Sequence, residues 1–289
     1  MIRTLLQPLR TIYDRALFHV GRRVRNRHVL AAVRRHAPLG GRVLDAGCGG
    51  GSLALAVARR HRRLEVEGIE MAPDKVAAGQ AAGRKLKLEN LRFEVGDITR
   101  IDRPARYDLA VSVDVLEHVL DDRAALRALA ECLRPAGLLI LHVPRAAPRR
   151  FFSILDDHHQ EDHVRDGYDP QALAGQLREA GFAEVEVRHT FGAAGELAWE
   201  LMQLTRRGRP SRARELAAIV LSPLLALLCE LDFRLGAGER GNGLLVLARR
   251  PPDGARSNAA RADVTRPHAA PPDAARPPRN VAQHSAIVH

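Results

Sequence analysis

Between residues 41 and 250 the chain alternates short apolar runs with amphipathic stretches. The runs Arg42–Ala46, Leu64–Ile69, Leu91–Val95, Leu109–Val113, Leu138–Val143, Ala183–Arg188 and Leu244–Arg249 read as strands. Between them Leu53–Arg60, Lys75–Leu86, Ala124–Leu133 and Pro170–Ala180 repeat apolar residues at helical spacing. Strands alternating with helices predict an α/β fold, a parallel sheet covered on both faces.

Two segments depart from this rhythm. Residues 2–24 place Ile2, Leu5, Leu6, Leu9, Ile12, Tyr13, Ala16, Leu17, Val20 and Val24 on one helical face, with arginines opposite. Such a helix either packs across the main domain or lies on an anionic membrane. Residues 192–242 separate the last two strands and are mostly helical in pattern, a cap with its own apolar face. Its uncharged run LAAIVLSPLLALLC, between Glu215 and Glu230, is broken by Ser222 and Pro223. At fourteen residues it reads as a buried or interfacial helix, too short to cross a bilayer.

After Arg250 the composition changes. Residues 251–289 hold seven of the seventeen prolines and ten alanines, with no leucine and no aromatic residue, and are expected to be disordered. The predicted organisation is therefore a basic arm (1–40), a body (41–250, with the cap at 192–242) and a tail (251–289).

Charge sharpens this division. The formal net charge is +11, but residues 1–40 hold nine arginines against Asp14 alone, and the body carries 31 basic against 30 acidic residues. A neutral body without a basic stripe of interleaved aromatics argues against a nucleic-acid partner. Cys48, Cys132 and Cys229 form no C-x-x-C pair and read as reduced thiols. Arginines interrupt the first 25 residues, so no secretory signal forms. The expected location is cytoplasmic, with attachment to the inner face of the membrane left open by the arm and cap.

Candidate chemistry follows the strand ends. VLDAGCGGG runs from a strand through a glycine-rich turn into a helix, where backbone can approach a ligand closely. The spacing is Gly47-x-Gly49-x-x-Ser52, so the third glycine of the dinucleotide fingerprint is missing. Glu70 closes the second strand, 23 residues beyond Gly47, where an acid can accept from both ribose hydroxyls. Asp97 ends the third strand, where a carboxylate can accept from an adenine amino group.

VLDAGCGGG, GIEMAPDKV, VGDI, YDLAVSVDVLEHV and LRPAGLLILHVP together resemble a class I S-adenosylmethionine-dependent methyltransferase of the small-molecule group. The resemblance covers about residues 41–190. It implies a Rossmann-like seven-stranded sheet with one antiparallel edge strand, Leu244–Arg249, and S-adenosylmethionine as cofactor. It further implies Asp45, Gly47, Gly49 and Asp114 near the cofactor, Glu70 on ribose, Asp97 by adenine and Met71 against the adenine ring.

Asp114, Glu117 and His118 would share one face if a helical turn begins after the fourth strand. DVLEHV resembles ubiquinone-pathway O-methyltransferases, in which the acid-x-x-Glu-His group can form an acid–base or divalent-metal site; here Asp114 stands where Glu is more usual. His142, His158, His159 and His163 follow, beside Asp156, Asp157, Glu161 and Asp162, in a loop that should face the acceptor. His163-Val164-Arg165 followed by Tyr168 is similar to a phrase of methyltransferases in cell-surface glycan and lipid pathways. His118, His163 and Glu117 are the candidate catalytic residues, and no metal centre is expected. The expected reaction is methyl transfer to a small or lipid-linked acceptor at oxygen. The alternatives are a nucleic-acid methyltransferase, a cofactor-binding protein without turnover, and a dinucleotide oxidoreductase, which Ser52 disfavours.

Overall fold

The computed structural model describes residues 20–155, 163–207 and 211–253. Helix α1 (Val20–His36) leads into β1 (Gly41–Ala46), α2 (Ser52–Arg60), β2 (Leu64–Glu70), α3 (Pro73–Lys85) and β3 (Leu91–Val95). β4 (Tyr107–Val113), α4 (Asp122–Cys132), β5 (Leu133–Pro144), α5 (Pro170–Glu179) and β6 (Glu184–Thr190) follow. The cap helices α6 (Ala193–Arg206) and α7 (Arg212–Leu235) precede β7 (Gly243–Arg249).

The seven strands lie in the order β3-β2-β1-β4-β5-β7-β6. β7 runs antiparallel to both β5 and β6. The antiparallel strand expected at the sheet edge is therefore an inner one, and β6 forms the edge. The cause is the connection: the α6–α7 cap returns the chain between β5 and β6 instead of beyond them. Strand order reverses between β1 and β4, which opens a crevice at their carboxyl ends, the place where such sheets bind ligands.

Period-two burial on both faces explains why β5 and β7 read as continuous apolar runs. Leu139, Leu141, Leu244 and Val246 face a core with Leu126, Leu129 and Leu133. Leu138, Ile140, Leu245 and Leu247 face the other side, against Val29, Val33, Leu53 and Val57. Caps fix the helix starts: Asp121 accepts from Ala124 N–H at 2.8 Å, and Asp169 accepts from Gln171 and Ala172 N–H at 2.9 Å.

β5 begins at Leu133 and not at Leu138. A register shift between Tyr107 and Leu109 of β4 takes Arg134–Gly137 into the strand. α1 also differs from expectation, running on to His36, past the end of the periodicity at Val24. Val29, Ala32 and Val33 pack on the sheet, and Val20 and Val24 join Ala198, Met202, Leu225 and Cys229 in the cap core. In the described part of the arm, Arg25 pairs with Asp114 and Arg27 with Glu230, while Arg22, Arg23, Arg34 and Arg35 are exposed.

The uncharged run of the cap does not end its helix. α7 spans 24 residues, and its segment Leu216–Leu235 is long and apolar enough to cross a membrane by length and composition. The shorter expectation failed because Glu215 and Glu230 bound the run without stopping the helix. Residues 1–19, 156–162, 208–210 and 254–289 lie outside the described residues, and with them most of the expected arm helix, Asp156, Asp157, His158, His159, Glu161, Asp162 and nearly all of the tail.

Candidate functional site

The crevice is built on the turn after β1. Gly47 and Cys48 donate from their N–H groups to Ile69 O at 2.8 and 3.0 Å, tying the turn to β2. Gly47 has φ 75°, and a Cβ there would come within 2.5 Å of the Val115 methyls, so only glycine fits. Gly49, at φ 54°, has nothing within 4 Å of such a position, which leaves its backbone open to a ligand.

Around this turn the predicted cofactor residues gather. Asp45 is buried and accepts from Ala54 N–H at 3.0 Å at the start of α2; burial pushes its carboxyl up to about 7. Glu70 accepts from Gly49 N–H (2.9 Å) with one oxygen and from Ala72 N–H (3.1 Å) with the other. Each oxygen keeps a lone pair for a further donor. Met71, the residue after Glu70, is 70% exposed, an unusual state for methionine. Asp97 accepts from Thr99 N–H and Oγ1, both at 2.8 Å, which holds its carboxyl below the usual range.

Val115 walls Gly47 on one side and leads into the second half of the site. A cavity of about 590 Å³ lies past the end of β4, lined among others by Arg25, Asp114, Glu117, His118, His163 and Trp199. No helical turn starts at Asp114. Its φ is 48°, and a short 3₁₀ turn covers Leu116–His118, so the expected shared face of Asp114, Glu117 and His118 does not form. Asp114 instead turns towards β5, where its N–H donates to His142 O at 2.9 Å and its carboxylate meets Arg25 and the His142 Nδ1 (2.7 Å).

His142 lies inside β5 and not in the loop that follows it. Burial and the nearby Arg25 charge lower its pKa well below the ordinary value, so the imidazole is neutral. Nδ1 then donates to Asp114, and Nε2 accepts from Thr190 Oγ1 at 2.9 Å. The chain Arg25–Asp114–His142–Thr190 links α1, β4, β5 and β6. Sequence reading missed Arg25 and Thr190, since neither belongs to a motif. It also set His142 among the loop histidines.

Glu117 and His118 meet His163 across the chain. One carboxylate oxygen and two ring nitrogens lie within 4.8 Å of one another, and the two imidazoles pack edge-on at 4.7 Å between centroids. A divalent cation could be shared among such donors. Glu117 is 1% exposed, its Oε2 has no hydrogen-bond partner among the described residues, and burial pushes its carboxyl up to about 7. Arg165 holds this group together by donating to Leu116 O, Val119 O (2.8 Å) and Leu120 O (3.1 Å), while Val164 N–H donates to Glu117 O at 2.9 Å. Tyr168 supports Arg165 and donates to Asp122 at 2.9 Å. The His-x-Arg-x-x-Tyr phrase is thus a clamp on the turn that carries Glu117 and His118.

A doubly wound sheet with a glycine turn and acidic strand ends at its switch point defines a Rossmann-like cofactor-binding enzyme. Residues 15–187 match the model of a methyltransferase domain family, and the chain belongs to that family. It is 32% identical over 173 residues to the ubiquinone biosynthesis O-methyltransferase of Xanthomonas campestris pv. campestris (strain B100), covering 53% of this chain and 70% of that protein. The same-named protein of Xanthomonas oryzae pv. oryzae (strain PXO99A) is 30% identical over 154 residues, 49% of this chain and 62% of that protein. Phosphoethanolamine N-methyltransferase 2 of Haemonchus contortus, in complex with S-adenosyl-L-methionine, shares the fold at TM-score 0.58 and 19% identity, over 78% of this chain and 52% of that one. The cyclase SpnF shares it at TM-score 0.55 and 23% identity, over 78% and 82%. The protein is an S-adenosylmethionine-dependent methyltransferase.

Proposed function

We propose that the protein methylates a hydroxyl oxygen of a small or lipid-linked acceptor, with the Glu117, His118 and His163 group taking the hydroxyl proton. The observation that carries this reading is the meeting of those three side chains in one cavity, whose lining also holds Asp114 just past the end of β4. The names of the Xanthomonas relatives support oxygen as the acceptor atom.

The crevice residues fit the cofactor. Gly49 offers bare backbone, Glu70 has free lone pairs for ribose hydroxyls, Met71 has a face for the adenine ring and Asp97 an acceptor for its amino group. Asp114 and Asp45 border the methionine end of the same crevice. When bound, S-adenosylmethionine supplies a methyl group made electrophilic by its sulfonium. The chain's own work is to align the acceptor oxygen, keep water out and accept a proton. A carboxyl near 7 beside two imidazoles is matched to that last task at neutral pH.

Incubation with methyl-labelled S-adenosylmethionine and fractionated cell extract tests the reading. We expect label in a product whose new bond is a methyl ether. Label on an amine nitrogen or in nucleic acid would replace it.

A further inference from the structure

The cap's long helix carries a face that no other described residue covers. α7 buries Ala218, Leu225, Cys229 and Asp232. Leu216, Val220, Leu224, Leu227, Leu231 and Leu235 are 52, 75, 44, 54, 36 and 77% exposed. Their steps of four, four, three, four and four residues keep them in one strip roughly 100° wide and about 28 Å long. The other exposed residues between Leu216 and Leu231 are Ala217 and Pro223, so this face bears no charge until Arg234. Soluble monomers rarely leave so continuous an apolar patch in water.

We propose that this strip is a docking surface for an anionic lipid bilayer, with α7 lying in the plane of the headgroups. The charge beside the strip favours lipid over a second copy of the chain. α1, which packs beside α7, holds Arg22, Arg23, Arg25, Arg27, Arg34 and Arg35 and no acid. Arg27 pairs with Glu230 on the flank of α7, the Arg23 charge reaches the Cys229 thiol, and Arg22 and Arg23 are exposed. A two-fold pairing through the strip would bring these cations towards their own copies, whereas anionic lipid attracts them.

The helix lies on the surface and does not cross it. Asp232 accepts from Gly195 N–H of α6 at 2.9 Å, and Glu230 is held by Arg27, so one face of α7 stays on the protein. The proposed contact is made by the cap, with the exposed Arg22 and Arg23 of α1 beside it. α6 contributes Trp199 and Met202 to the cavity and packs against α7 behind them, which sets the acceptor space just inside the proposed lipid face. The proposal stands whichever acceptor atom is methylated.

Sedimentation of the full chain with phosphatidylglycerol–phosphatidylcholine vesicles and with phosphatidylcholine alone, at low and high salt, is the test. We expect binding to the anionic vesicles at low salt, lost at high salt. A Val220→Glu/Leu227→Glu variant should bind at least tenfold more weakly, with unchanged far-ultraviolet circular dichroism and an unchanged melting shift with S-adenosylhomocysteine. Leu227→Trp, which keeps the surface apolar, should shift its emission to the blue on adding anionic vesicles. Binding to neither vesicle, equal binding by the double variant, or no emission shift would overturn the proposal. So would a wild-type dimer that the double variant splits, which would assign the strip to a second copy. A double variant that melts far below the wild type without vesicles would assign it to packing within the chain.

Discussion

Asp114 shows how one residue can be misplaced by a correct motif. Its left-handed φ of 48° is tolerable for aspartate, at a cost of order 1 kcal/mol, and the bonds to Arg25 and His142 hold it there. Glu70 is the simplest residue to test. It stands to accept charge-assisted bonds from two hydroxyls, each contributing about 1.5–3 kcal/mol. Glu70→Ala should therefore weaken S-adenosylhomocysteine binding about 100-fold or more, measured by calorimetry, and remove most of its melting shift. Asp45 makes a pH prediction. Its carboxyl rises from 3.8 to about 7 in the fold because burial disfavours its charge. The native state thus binds the proton more tightly than the unfolded chain, and stability falls as pH rises from about 4 through 7. Asp45→Asn keeps an acceptor for Ala54 N–H, so it should add up to about 4 kcal/mol at pH 8 and almost nothing at pH 4, by urea unfolding. Glu117→Gln should lower kcat by 100-fold or more at pH 7 and leave S-adenosylhomocysteine affinity unchanged. An unchanged kcat would remove Glu117 from proton transfer.

The clamp across the 3₁₀ turn is a property of two segments, not of one side chain. Arg165 and Val164 tie residues 163–168 to Leu116, Glu117, Val119 and Leu120, so the Glu117, His118 and His163 group forms only when both segments are in place. Arg165→Ala should cut kcat at least tenfold, while Arg165→Lys, which keeps the charge but not the fork, should recover only part of it. Cofactor affinity should stay at the wild-type value in both, since the glycine turn is untouched. At this scale the sequence marked helices and strands well where apolar spacing was regular. It failed at Arg134–Gly137, which a register shift takes into β5, and at Asp114, where side-chain bonds override helical continuation. Neither effect leaves a periodic trace.

The whole molecule divides at Asp253, after which the Pro- and Ala-rich sequence holds no leucine or aromatic residue to bury. Truncation after Asp253 should leave the melting temperature within 2 °C or so and cofactor affinity unchanged, because surface changes without buried contacts alter stability by about 0.5 kcal/mol at most. A large fall would show that the tail docks. By itself the sequence determined the α/β class, the strand-end positions of Asp45, Glu70 and Asp97, and the neutral body under a basic arm. Each of these rests on local spacing or composition, which a linear chain carries in full. Only the tertiary structure decided that β7 enters between β5 and β6, and that His163 reaches Glu117 and His118 across the chain. It alone decided that His142 is a buried partner of Asp114, and which side of α7 the protein covers. Those are contacts between segments far apart in sequence, fixed by which apolar faces meet in the fold, and no local pattern encodes that choice.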